Sequence, residues 1–169
     1  MPTRVYTASR QPIQLDRAPL ATPGAEGSVY CVHSVGSLSD SCAKIYHRNK
    51  ITQKRKDKIH FMIHNQPHNL ITQNYIVCWP SDMIFDSRNK FVGFIMPLAF
   101  SGSEELYELS TPKISPRLSI HWSKFDRTKR VGIEKRLKIC VNIAVAVHSI
   151  HQTGKYTLVD FKPQNMLIS

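Results

Sequence analysis

The sequence predicts an α+β protein, with a five-stranded antiparallel sheet carrying one helix, followed by a mainly helical portion. Three observations predict it. Short runs rich in β-branched and aromatic residues alternate at 28–32, 42–46 and 91–96. A narrow apolar stripe of Ile51, Ile59, Met62 and Ile63 runs along an otherwise basic segment, 52–65. Apolar residues then recur at three- and four-residue steps over 133–152, the strongest helical signal in the chain.

Taken in order, residues 1–19 are a polar, proline-containing lead-in with a short alternating run at Ile13-Gln14-Leu15. Residues 20–32 read as strand, glycine turn and strand, with Gly24 and Gly27 at the turn. A polar loop over 35–41 leads to the apolar strand 42–46, which contains a single lysine, Lys44. A lysine there either snorkels to an edge or meets an anion. The basic helix 52–65 stops at Asn65-Gln66-Pro67. His60, His64 and His68 share fourfold spacing, but the stop precedes His68 and no carboxylate joins them, so a surface stripe is expected.

Residues 76–80 and 83–85 are short strand pieces, 86–90 is a turn and 91–96 is a strand, which together make a hairpin. Glu104 and Glu105 open a short helix, and 111–129 is an irregular basic insertion with Pro112, Pro116 and Trp122. In the long helix, Leu137, Cys140, Val141, Ala144, Val147, His148 and His151 form the leading stripe. Apolar residues on its other side predict burial nearly all round, and Gly154 is a suitable stop.

Composition narrows the function classes. With 169 residues and 41% hydrophobic content, the chain can build a core. No 18-residue apolar run and no signal-like start occur, which predicts no membrane partner. Cys31, Cys42, Cys78 and Cys140 are scattered among apolar neighbours, which predicts packed thiols in a reducing cytoplasm. The net charge of +11 is concentrated at 48–58 and 124–138. Charge alone supports a nucleic-acid partner weakly; anionic nucleotides and acidic partners account for it as well.

Near the end lies Asp160-Phe161-Lys162-Pro163-Gln164-Asn165, running into Met166-Leu167-Ile168. Asp, Lys, Pro and Asn at this spacing arise by chance on the order of once in 10^5 start positions. A polar turn before a strand needs no more than these residues. Their chemistry also suits phosphoryl transfer: a carboxylate to orient and deprotonate a hydroxyl, an ammonium for the transferring phosphate and an amide oxygen for Mg²⁺.

This stretch resembles the protein-kinase catalytic loop, and the ordered pieces before it extend the resemblance from about Leu20 onward. Lys162, two residues after Asp160, resembles the serine/threonine pattern. The Trp-Pro-x-Asp and Phe-x-Gly-x-x-Met-Pro pieces look like a bacterial kinase-like subgroup. The resemblance implies a two-lobe protein-kinase-like fold, with a lead-in at 1–19, an N-lobe at 20–96, a hinge at 97–103 and the start of a C-lobe at 104–169. It implies a serine/threonine protein kinase that transfers the γ-phosphoryl group of ATP, with Mg²⁺, to a protein hydroxyl. Asp160 and Lys162 would be catalytic and Asn165 a metal ligand. Gly24, Gly27, Val29, Lys44, Met96, Leu98 and Ala99 would hold ATP.

Four departures accompany it. Thr22 stands where the first glycine of the phosphate loop belongs, and Leu158-Val159 replaces the His-Arg before the catalytic Asp. No glutamate occurs in the helix 52–65 to pair with Lys44. The Asp-Phe-Gly segment that would follow the loop is not in the sequence, so the expectation is either a fragment of a longer chain or a partner polypeptide that covers the truncated C-lobe. The alternative is an inactive, pseudokinase-like module that binds nucleotide or protein.

Overall fold

The computed structural model describes residues 4–33, 40–111 and 114–169. The polar loop expected over 35–41 therefore lies outside the described residues up to Ser39, as does Pro112 of the basic insertion. The chain divides into two compact units, one of residues 1–66 and 77–98, the other of 67–76 and 99–169.

The first unit is a closed barrel of six strands, all antiparallel. Its strands are β1 (Val5–Tyr6), β2 (Pro12–Leu15), β3 (Gly27–His33), β4 (Ser41–Tyr46), β5 (Asp82–Asp86) and β6 (Phe91–Pro97). They follow one another around the barrel in the order β1-β2-β3-β4-β6-β5, and β5 returns to β1. This overturns the expected two-lobe kinase fold with its five-stranded sheet. The physical cause lies in the lead-in: Val5 pairs with Ile13 on one side and with Asp86 on the other, so both sheet edges are satisfied by one short strand. Val5 is buried, at 2% exposure, and that burial fixes the strand's register. The β1–β2 turn is tied by Thr7, whose hydroxyl accepts from the Gln11 amide at 3.0 Å while Arg10 takes a φ of 67°.

Alternation sorts each strand into an inner and an outer set. Val5, Ile13, Tyr30, Val32, Ala43, Ile45, Ile84, Val92 and Ile95 fill the barrel. Tyr46, Phe85, Phe91 and Phe94 face outward and pack with Ile59 of α1 (Gln53–His64). The Thr52 hydroxyl caps α1 by accepting from the Arg55 amide at 3.2 Å. A register shift lies between β5 and β6: Ile84 opposes Gly93 and Phe85 opposes Phe91, which leaves Val92 as the extra residue. Gly93 is required by close approach, since a Cβ there would stand 2.0 Å from the Lys44 carbonyl oxygen.

The second unit contains β7 (Glu104–Glu105) paired with β8 (Leu167–Ile168), and the long helix α2 (Arg130–His151). Short 3-10 segments at Leu106–Leu109, Ile120–Phe125 and Pro163–Asn165 supply most of the remaining regular structure. Its buried cluster is Leu109, Trp122 and Phe125, with Leu118, Ile139 and Ile168 packed against it. A mainly helical lobe is therefore also corrected: among the described residues this unit has one α-helix.

That helix is not buried all round. Gly132 and Ile150 are its buried residues, and Ile139 packs on the same side. Val131, Ile133, Leu137, Val141 and Val145 are exposed. The stripe read from the sequence through Leu137, Cys140, Val141, Ala144 and His148 therefore faces outward. Gly132 and Arg136 decide which side turns in. A Cβ at 132 would lie 1.8 Å from the Asp126 carbonyl oxygen, so only glycine lets the helix start against that turn. Arg136 donates to the carbonyls of Phe125 (2.6 Å) and Leu109, and to that of Thr111 (3.4 Å). One of the seven basic residues at 124–138 is thus a staple between segments.

Candidate phosphoryl-transfer residues

Three residues of the predicted catalytic stretch meet in the second unit. The Asn165 amide nitrogen donates to the Asp160 backbone carbonyl at 2.8 Å and to its Oδ2 at 2.9 Å. Lys162 Nζ lies 3.1 Å from the same Oδ2. Pro163 opens the 3-10 turn Pro163–Asn165, where its fixed φ suits the first position and its missing N–H costs nothing. That turn brings Asn165 back over Asp160. Beyond it, the Leu106 amide donates to the Met166 carbonyl at 2.8 Å and β8 pairs with β7, so the stretch is anchored on its C-terminal side.

The two side-chain hydrogen bonds, from Asn165 first and then Lys162, hold the Asp160 carboxyl below the usual carboxylate range. The carboxylate therefore stays ionised. Oδ2 carries both of these partners, and Oδ1 carries neither. A carboxylate held low is a weak base, and its larger effect on an incoming hydroxyl is orientation. Asn165 turns its amide nitrogen toward Asp160, so its Oδ1 takes no part in that pair of hydrogen bonds.

In the first unit, the outer face of the barrel gathers the predicted nucleotide-contacting side chains. Val29 is the cross-strand partner of Lys44, Gly27 that of Tyr46, and Met96 that of Cys42. Direct partners of an antiparallel pair share a face. Gly27 is needed for packing: a Cβ would fall 2.2 Å from the Ile45 carbonyl oxygen. Gly24 closes the turn, donating its N–H to the Gly27 carbonyl at 3.0 Å. Neither glycine has a positive φ, so close approach at 27, rather than unusual backbone angles, accounts for the pattern.

The Leu98 amide, expected to meet adenine, donates to the Asp40 carbonyl at 2.9 Å and is already engaged. Ala99 belongs to the second unit.

The structure supplies one functional group that sequence order did not. Glu26, between the two glycines, lies 3.7 Å from Lys44 Nζ and 2.5 Å from an Arg55 guanidinium nitrogen. The acid paired with Lys44 thus comes from the turn, while α1 contributes a cation. Asp57, the acid of α1, accepts from Gln53 at 2.6 Å. Glu26 could have been suspected from its place between Gly24 and Gly27, but its partners depend on strand register.

Among the described residues no cluster of three or more His, Cys, Asp or Glu could hold a metal ion. His60 and His64 touch ring to ring at 4.2 Å, and His64 Nδ1 is 2.8 Å from the His60 carbonyl. No helix among the described residues is long and apolar enough to cross a membrane. No protein-family model, curated protein or solved structure matches the chain.

Proposed function

We propose that the chain carries the ATP-binding and phosphoryl-transfer residues of a serine/threonine protein kinase, on a barrel-based framework of its own. The single observation behind this reading is the Asp160 carboxylate, held by Lys162 and Asn165 on one oxygen and presenting the other. In this reading Asp160 Oδ1 orients the acceptor hydroxyl of a protein and takes its proton as the phosphoryl group transfers. Lys162 Nζ, at 50% exposure, meets the transferring phosphate. In the first unit, taken by itself, Lys44 and the outer face of the barrel are read as nucleotide contacts.

Magnesium fits this donor set in a limited way. Asn165 Oδ1, a hard oxygen, would hold the ion, and phosphate and water would have to supply its other ligands. When bound, it would neutralise phosphate charge.

The test is transfer of label from γ-phosphate-labelled ATP, with Mg²⁺, to a serine- and threonine-rich protein acceptor. Transfer is expected, and Asp160→Asn should lower it by about 10²-fold or more. Equal turnover in that variant would sink the assignment. Mg·ATP should also raise the Tm, and should do so less in Lys44→Ala. A rise in Tm without any label transfer would instead select the inactive nucleotide-binding module.

A further inference from the structure

The turn carboxylate Glu26 is met by two cations from different elements. Lys44 comes from β4 and Arg55 from the first turns of α1. Two positive charges against one carboxylate leave an unbalanced cationic pair on the outer face of the barrel. Arg55 is held by several partners. Its side chain is 25% exposed, it donates to the Lys50 carbonyl at 2.8 Å, and its guanidinium lies 4.7 Å from the Tyr46 ring centroid. Burial pushes the Tyr46 phenol up to about 12, so the ring under Arg55 stays neutral. A planar guanidinium held in one orientation is suited to bidentate binding of an anion.

Glu26 is the movable partner. Its backbone is pinned, since its carbonyl accepts from the His47 amide at 2.9 Å and His47 Nε2 reaches the Gly24 carbonyl at 2.8 Å. Its side chain is 50% exposed, and a change of rotamer lifts the carboxylate away without moving the turn. The backbones that carry the two cations are held in β4 and α1.

We propose that Lys44 and Arg55 form a two-cation receptor for the phosphate chain of a nucleoside triphosphate, with Glu26 standing in for phosphate until the anion displaces it. Arg55 is then a phosphate-binding residue contributed by α1, and Glu26 sets the threshold for occupancy. The identity of the anion rests on the phosphoryl-transfer reading; the receptor itself rests on these three side chains alone.

The experiment is calorimetric titration of the whole chain with sodium tripolyphosphate and, separately, with ATP. Glu26→Gln, an exposed change, should tighten both by several-fold because the competing charge is removed. Arg55→Gln should weaken both by about tenfold, and Arg55→Lys should recover part of the loss. Unliganded Tm values identify any variant that has lost its fold, and Glu26→Gln then carries the test. Unchanged affinity in both Glu26→Gln and Arg55→Gln, with ATP still bound, overturns the receptor and leaves the kinase reading standing. Tripolyphosphate binding that follows the expected order without ATP binding supports the receptor and removes the kinase reading. No binding of either anion overturns both.

Discussion

Asp160, Lys162 and Asn165 act as one group because a single carboxylate oxygen takes both partners. The hydrogen bond from Asn165 is the first cause of the lowered Asp160 pKa, so Asn165→Ala should let that pKa rise toward an ordinary carboxylate. The sign follows from a depressed group: the ionised form persists as pH falls through the usual carboxylate range and is lost only below it. The acid limb of kcat/KM for label transfer should therefore lie below that range and move upward in Asn165→Ala. An unmoved limb would show that Asp160 does not control it. A second residue-scale prediction concerns Cys42, at 3% exposure, whose thiol burial pushes up to about 12 from its usual 9.0. In the native protein it should resist alkylation at pH 8, while the exposed Cys140 reacts readily. Because its folded pKa is raised, the stability it contributes is present below pH 9 and lost as pH rises toward about 12.

At the scale of elements, two features hold the barrel in register: the short closing strand and the glycines at close approaches. Val5 fills the interior from β1, and Val5→Ala should cost about 2 kcal/mol through lost burial and the cavity left behind. Gly93→Ala forces a methyl against the Lys44 carbonyl at 2.0 Å, where only backbone movement can relieve it. It should cost about 1–3 kcal/mol, as overpacking does. Urea unfolding of both variants checks these values, and a Gly93→Ala protein as stable as the parent would refute the close approach. The helix α2 follows the same logic from the other side. Gly132 and Arg136 face its partners, so a strongly apolar sequence leaves Leu137 and Val141 exposed.

For the whole molecule, the division into two units has a spectroscopic consequence. Trp79 belongs to the first and Trp122 to the second, and the sequence holds two tryptophans. The first unit buries a filled barrel and an outer aromatic cluster, whereas among its described residues the second has one small cluster around Trp122. In Trp79→Phe, the fluorescence of Trp122 should change at lower denaturant than that of Trp79 does in Trp122→Phe. Coincident transitions would mean that the units unfold as one cooperative system.

Local chemistry was legible in the sequence. Alternation placed the strands at 28–32, 42–46 and 91–96 within a residue or two, since a period of two is a property of the chain itself. The helix 52–65 appeared as Gln53–His64 with Thr52 as its cap, because capping is a short-range hydrogen bond. Asp160, Lys162 and Asn165 lie within six residues, so their meeting needs only a turn. What the tertiary structure decided involves partners far apart along the chain. Val5 closing on Asp86 made a barrel of what reads as an open sheet. The Gly132 contact with Asp126 chose the inner face of α2 against its more apolar stripe. Glu26 met Lys44 and Arg55 through strand pairing and helix packing. Periodicity states which residues share a face; only the register and closure of the assembled elements state what that face meets.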